Sequence, residues 1–216
     1  MTEPGDVTMI RTSYDTVAVA YAALLRDALA EQPVQRGVLA TFAELVRLRP
    51  AGPVLDAGCG PGHIAAHLGR LGLDVFGIDL SPAMVQVARQ DNPGLRFDVG
   101  SMLALDLPSG TLAGVLSWWS MVHTPLEQLP AVFGELARVL APGGELLVGF
   151  HGGIGRTHKR EGYGGHPMSV YVHRWSLDQI AQHCADAGLH VHTRISQDPP
   201  AADRAYPAMV LASKPG

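Results

Sequence analysis

The chain has 216 residues, enough for one domain that buries a core without disulfides or a structural metal, so the small stapled scaffolds are excluded. Apolar residues make up 47 % and charged residues 17 %, which excludes disorder and low complexity. Sixteen Lys plus Arg against twenty Asp plus Glu give a net charge of −4 with no run of like charge, so the electrostatic footprint of a nucleic-acid binder is missing.

The start, Met1-Thr2-Glu3-Pro4-Gly5-Asp6, is acidic where a signal peptide carries basic residues, and the longest apolar stretch, 17–25, is far shorter than a spanning helix. A cytoplasmic chain with no membrane partner is expected. Cys59 and Cys184 lie far apart with no CxxC, which indicates reduced thiols. Fourteen of the sixteen basic residues are Arg, a skew associated with GC-rich bacterial genomes. No repeat or linker divides the chain, so residues 1–216 read as one domain.

From about residue 13 to 48, apolar side chains recur at helical spacing, interrupted at Pro33 and Gly37. This predicts a helical N-terminal cap, 1–50, in two or more pieces, with the 17–25 stripe used for packing. From residue 53 to 216 short apolar runs alternate with helical segments, the pattern of a parallel sheet covered on both faces. Strands are expected at 54–57, 74–78, 95–99, 113–117 and 145–150. Ser81-Pro82 supplies an N-cap and an N1 proline before a helix over 83–90, and Ser176 with Gln179 forms a capping box before 180–187. Gly188 suits the left-handed residue that ends that helix. Two last strands, 189–196 and 205–212, are joined by the turn-rich Asp198-Pro199-Pro200, too short for a crossover helix, so they should pair antiparallel.

The most informative stretch is Val54-Leu55-Asp56-Ala57-Gly58-Cys59-Gly60-Pro61-Gly62-His63, a strand entering a Gly-rich turn that opens a helix. Such a turn lets backbone approach a ligand, and the helix start offers free N–H groups to anionic atoms. A ligand-free tight turn is the plain alternative. Asp79, about twenty residues on and just after a strand, is placed to accept both hydroxyls of a ribose. Its alternative, capping the next helix, is already filled by Ser81. A nucleoside ligand follows. Dinucleotide folds use G-x-G-x-x-G, whereas this chain reads G-x-G-x-G with His63 at the third-glycine position.

These residues, with Gly77-Ile78-Asp79, Gly100-Ser101-Met102 and Leu140-Ala141-Pro142-Gly143-Gly144-Glu145-Leu146, resemble the ordered motifs of class I S-adenosylmethionine-dependent methyltransferases, in the branch that acts on small molecules. The resemblance runs from about residue 12 to the C-terminus. It implies an α/β fold with a doubly wound, seven-stranded, mostly parallel sheet whose last strand is antiparallel. It also implies S-adenosyl-L-methionine as cofactor and S-adenosyl-L-homocysteine as product. Carried over by position, Gly58 and Gly60 would line the methionine part, Asp79 would hold the ribose and Leu80 would pack on adenine. Ser101 and Met102 would contact the adenine edge, and Tyr14 and Tyr21 would close the site. Asp56, Gly62, His63, Met84, Ser117 and Trp118 complete the expected cofactor shell. The chain departs from the family's usual Asp at Ser101, from Arg or Thr at His63 and from Asp at Ala113.

Methyl transfer needs an aligned acceptor in a dry pocket, plus a base where the acceptor must lose a proton. The segment Ser117-Trp118-Trp119-Ser120-Met121-Val122-His123 leaves the sheet beside the expected crevice, so Trp119 is a candidate wall and His123 a candidate base with a pKa near neutrality. Core packing and a structural hydrogen bond are their plain alternatives. Residues 151–173 form a Gly-rich, basic and aromatic stretch that reads as a mobile substrate loop contributing His151, Arg156, Tyr163 and His166. Arg156, Lys159 and Arg160 would give that loop a cationic rim suited to an anionic substrate. The ten histidines lack paired metal-ligand spacing, and no metal is expected. A homodimer stays open, as do two rival functions: a nicotinamide-dependent oxidoreductase on the same kind of sheet, and a protein that binds the cofactor without methylating.

Overall fold

The computed structural model describes residues 7–48, 52–197 and 205–216, so the 198–200 turn lies outside the described residues. Helix α1 spans Val7–Leu25, a 3-10 turn Ala28–Glu31, and helix α2 Pro33–Arg47. The break expected at Pro33 is present: the layer is in pieces, and Pro33 begins α2 at N1, where its missing N–H costs nothing. Gly37 does not interrupt a helix: it lies inside α2 with nothing within 4 Å of where a Cβ would stand. Helix α1 is more than an outer cap. It buries Val17 and Ala18 against Met84, Met168 and Val170, and full burial of each larger side chain is worth about 1.5–3 kcal/mol. No helix among the described residues is long and apolar enough to cross a membrane.

Strands β1 Val54–Ala57, β2 Val75–Asp79, β3 Arg96–Val99, β4 Leu112–Trp118 and β5 Leu140–Gly152 are connected by α3 His63–Arg70, α4 Pro82–Asp91 and α5 Leu129–Val139. Strand β6 Gly155–Glu161 and β7 Pro167–Arg174 follow, then α6 Leu177–Asp186, β8 His190–Ser196 and β9 Tyr206–Ser213. One seven-stranded sheet has the order β3-β2-β1-β4-β5-β9-β8. The last strand in sequence, β9, enters antiparallel between β5 and β8, and the chain's two final strands pair antiparallel as expected. Strand β5 begins earlier than the 145–150 run because Leu140 already pairs with Leu112; the register then shifts before Glu145 meets Gly114. Gly188 has φ +79, the left-handed value that closes α6.

The chain builds outward from β1 in one direction through β2 and β3, and in the other through β4 and β5. Order reverses between β1 and β4, so the crevice at their carboxyl ends is where a doubly wound sheet presents its ligand site. Helix α2 seals one face of the sheet. A Cβ at Gly114 of β4 would lie 2.9 Å from Val46 and 3.0 Å from Phe42, so only glycine lets that helix seat.

The 151–173 stretch is not an irregular loop. Strands β6 and β7 form a two-stranded antiparallel hairpin docked on α1, with Ser13 Oγ accepting from the Ser169 N–H at 3.1 Å. The clustered glycines hid the strand alternation, because several of them take up the left-handed turn conformations at the hairpin's ends.

Candidate functional site

The turn after β1 is fixed from two sides. The N–H groups of Gly58 and Cys59 both donate to the Ile78 carbonyl, at 2.7 and 3.1 Å. Gly58 has φ +77, and a Cβ there would stand 2.3 Å from the Cβ of Ser120, whose hydroxyl donates to the Ala57 carbonyl at 2.6 Å. Asp79, at the end of β2, accepts from the Gly60 N–H through one oxygen and from the Ser81 N–H through the other, each at 2.8 Å. Its position is therefore set by backbone, and its remaining lone pairs face the cavity. Burial raises its carboxyl above the usual range, opposed by those backbone N–H groups.

Asp56 lies deeper, 1 % exposed, and its Oδ2 has no hydrogen-bond partner. Burial, with the nearby Asp79 charge, pushes its pKa up to about 7. A buried carboxylate oxygen without a partner, aimed into a cavity, calls for a cationic or N–H ligand group. Leu80, Ser101 and Met102 line the same cavity with Gly58, Gly60, His63, Tyr14, Tyr21 and Trp118. These donors and walls fit S-adenosylmethionine: an ammonium toward the Asp56 end, a ribose at Asp79 and a flat base near Leu80 and Met102.

A second cavity of about 390 Å³ adjoins the first, within the usual range for small-molecule sites. Tyr14, Tyr21, His63, Trp118, Trp119 and His123 border both. At this junction the Tyr14 hydroxyl lies 2.6 Å from His123 Nε2, and His123 Nδ1 lies 2.7 Å from the Tyr171 carbonyl. A carbonyl only accepts, so Nδ1 carries the proton and Nε2 accepts from Tyr14. Burial lowers the His123 pKa to about 4, with the Lys159 charge acting in the same direction. The near-neutral pKa expected from sequence is thus corrected, since the side chain is 6 % exposed and its neutral form is favoured. Desolvation also raises the Tyr14 phenol well above its ordinary value. His63 Nδ1 is buried without a partner, and its pKa falls to about 4 through burial.

Trp119 is the one non-glycine with positive φ among the described residues, at +52, a strain typical of functional loops. Its indole N–H donates to His151 Nδ1 at 3.3 Å, which leaves His151 with its proton on Nε2. Tyr163 and His151 both line the second cavity.

Five expected residues are not brought to either cavity. Gly62 is instead the left-handed N-cap of α3, where a Cβ would meet the Phe97 ring at 2.8 Å. Met84 is fully buried beneath α1, and Ser117 is buried with its hydroxyl 2.8 Å from that of Ser120. Arg156 stacks on the Tyr171 ring at 4.1 Å, and His166 is exposed. The proposed basic rim divides because β6 is a strand: Arg156, His158 and Arg160 share one face, and Lys159 alone of the three cations borders the cavity. Sequence reading missed the Tyr171 carbonyl, for which backbone offers no residue signal, and Gln32 and Gln35, which reach the second cavity from the start of α2. It also missed Asp15, whose carboxylate accepts from Ser81 Oγ at 2.5 Å and the Ala83 N–H at 3.1 Å and so ties α1 to α4. Among the described residues no three His, Cys, Asp or Glu side chains gather as a metal site.

Residues 54–144 match a methyltransferase-domain family. Malonyl-acyl-carrier-protein O-methyltransferase of Serratia marcescens is 32 % identical over 131 residues, 61 % of this chain and 51 % of that protein. Trans-aconitate 2-methyltransferase of Rhizobium meliloti is 36 % identical over 118 residues, 52 % of this chain and 42 % of that protein. The chain thus spans about half or less of the length of these relatives. Among solved structures, the cyclase SpnF superposes with a TM-score of 0.73 at 18 % identity, covering 100 % of this chain and 99 % of that one. Magnesium protoporphyrin IX methyltransferase from Synechocystis PCC 6803, solved with S-adenosylmethionine bound, gives 0.71 at 18 %, covering 96 % of each. With the sheet order, the glycine turn and the Asp79 cradle in place, these similarities support a class I S-adenosylmethionine-dependent methyltransferase, with residues 54–144 as its matched methyltransferase domain.

Proposed function

We propose that the chain transfers a methyl group from S-adenosylmethionine to a small-molecule acceptor, with Tyr14 and His123 receiving the acceptor's proton. The observation that carries this reading is the meeting of two cavities at the Tyr14–His123 hydrogen bond. When bound, S-adenosylmethionine supplies a methyl carbon on a positively charged sulfur that departs, with the bonding pair, as a neutral thioether.

The protein's own contribution begins with placement. Asp79, Gly60 and the Asp56 carboxyl hold one partner in the first cavity, while Trp118, Trp119 and Tyr21 enclose the junction and exclude water. The Tyr14 oxygen, whose hydroxyl donates to His123 Nε2, can accept from an acceptor's hydroxyl or N–H. As that proton arrives, Tyr14's own proton moves to His123, and the Tyr171 carbonyl steadies the imidazolium through Nδ1–H. Lys159 repels the added charge and favours its release to solvent. A charged acceptor group would pair with Lys159.

The test is a product assay: purified protein, S-adenosylmethionine and fractionated metabolite extracts, followed by mass spectrometry. A compound that gains one methylene while S-adenosylhomocysteine accumulates supports the reading. Tight binding of S-adenosylhomocysteine with no methylated product across extracts would replace it with a cofactor-binding role. Binding of NADH in its place would return the oxidoreductase.

A further inference from the structure

The second cavity has a one-sided chemistry. Its walls are mainly aromatic and aliphatic, including Tyr21, Trp118, Trp119 and Leu29, with Gln32 and Gln35 as neutral polar groups, and among the described residues no Asp or Glu borders it. Among the described residues Lys159 is its single charged side chain. The Lys159 ammonium stands 3.8 Å above the Tyr163 ring, which itself packs 4.3 Å from the Tyr21 ring, so the cation is held by an aromatic pair. Its field lowers proton affinity at both His123 and His151. Positive potential therefore reaches the junction as well as the Trp119 wall.

Polar groups add direction. The Trp119 indole fixes His151 with its proton on Nε2, so His151 is a donor at the cavity wall. At the junction, the Tyr14 hydroxyl donates to His123 Nε2 and its oxygen is left to accept. A ligand satisfying both ends carries a hydroxyl donor for Tyr14 and an oxygen acceptor or negative charge for Lys159 and His151, on a flat apolar skeleton. An alkylammonium fails on two counts: it meets a like charge at Lys159 and finds no carboxylate. A carboxylate alone fails differently, since it brings no donor to the Tyr14 oxygen. His123, whose pKa lies near 4, takes a proton readily only from an acidic donor, and the Lys159 charge makes a bound hydroxyl more acidic.

Resting on the methyltransferase reading, we propose that the acceptor is a phenol or enol on a flat, mainly apolar skeleton, selected by Lys159 and His151, and that the methyl group goes to oxygen. Alkylammonium groups are excluded from the acceptor class.

The full chain is first titrated with S-adenosylhomocysteine by calorimetry, then, with that ligand bound, with 4-nitrophenol, whose phenolate absorbs in the visible. In buffer below the phenol's own pKa, wild-type protein is expected to bind it and strengthen the phenolate band. Lys159→Met should lose that band and bind roughly ten- to a hundredfold more weakly, the size of a lost charged hydrogen bond. Lys159→Arg should keep both, and phenyltrimethylammonium should not displace the phenol. Displacement by that cation, wild-type behaviour of Lys159→Met, or no phenol binding beside intact S-adenosylhomocysteine binding would overturn the acceptor class alone. Failure to bind S-adenosylhomocysteine would overturn the class together with the methyltransferase reading beneath it.

Discussion

The Tyr14 hydroxyl and His123 Nε2 are 2.6 Å apart, although 109 residues separate them in sequence. This contact joins helix α1 to the turn after β4, so the N-terminal helix contributes a side chain to the proposed reaction centre. Tyr14→Phe removes the hydroxyl while keeping the ring that packs against Tyr21 at 6.0 Å. Turnover is expected to fall about 10²- to 10⁴-fold, the usual worth of general acid–base help, with S-adenosylhomocysteine affinity changed less than about threefold. Steady-state kinetics beside calorimetry checks this, and an unchanged kcat would remove the pair from proton transfer.

Buried histidines make stability depend on pH. His123 and His63 have folded pKa values near 4 against an ordinary value of 6.5, so between these limits the unfolded chain binds protons that the folded chain refuses. Their contribution is complete above the upper limit and lost as pH falls. Asp56 has the opposite sign: its folded pKa near 7 exceeds the ordinary 3.8, so the folded chain keeps a proton the unfolded chain loses. The upward shift of Asp79 adds to that of Asp56, but His67, His151 and His173 are also lowered, and five histidines against two carboxyls leave a net loss on acidification, about 1.4 kcal/mol per pH unit for each uncompensated proton. Tm is expected to drop between about pH 7 and about pH 5, and His123→Asn should flatten the drop. A Tm that rises on acidification in the wild type would contradict this balance.

The sheet was legible because buried parallel strands write themselves as short apolar runs, and the site because Gly58, Gly60 and Asp79 sit at fixed offsets from those runs. The hairpin was not. Gly155, Gly162, Gly164 and Gly165 masked a strand pair whose register is set by docking on α1, a tertiary effect that local composition does not encode. For the same reason Arg156 and Lys159 read alike in sequence, and only the alternation of β6 separates the cation at the cavity from the one stacked on Tyr171. Ser117 and Met84 failed in another way. Ser117 adjoins the cavity residue Trp118 and Met84 lies three residues past the cavity residue Ser81, but strand and helix periodicity turns each into the core.

Gly58→Ala is expected to damage the site through contact as well as conformation. The new Cβ would stand 2.3 Å from that of Ser120, at a φ of +77 that side chains resist. Overpacking and left-handed strain together suggest a loss of about 2–5 kcal/mol. For a chain of this size that is a Tm fall of about 4–20 °C. Ser120→Gly in the same chain removes the clash but also the hydrogen bond to the Ala57 carbonyl, so partial recovery is expected. Scanning calorimetry of the two variants decides it. A double variant no more stable than Gly58→Ala would show that conformation, not contact, reserves this position for glycine.

Asp79 is held by two backbone N–H groups and is the acceptor proposed for a ribose, so in this reading one carboxylate both shapes the glycine turn and binds the ligand. Asp79→Asn keeps the shape but replaces one acceptor oxygen by an NH₂ group, which must face either the Gly60 N–H, the Ser81 N–H or a ribose hydroxyl. One donor is then left unmatched and the charge is gone. Affinity for S-adenosylhomocysteine is expected to fall roughly ten- to a hundredfold, because hydrogen bonds to a charged acceptor are worth about 1.5–3 kcal/mol. Asp79→Ala, which also frees the Gly60 N–H, should bind more weakly still. Calorimetric titration of the three proteins sets the order wild type, Asn, Ala, and equal affinity in wild type and Asn would place the ribose elsewhere in the cavity.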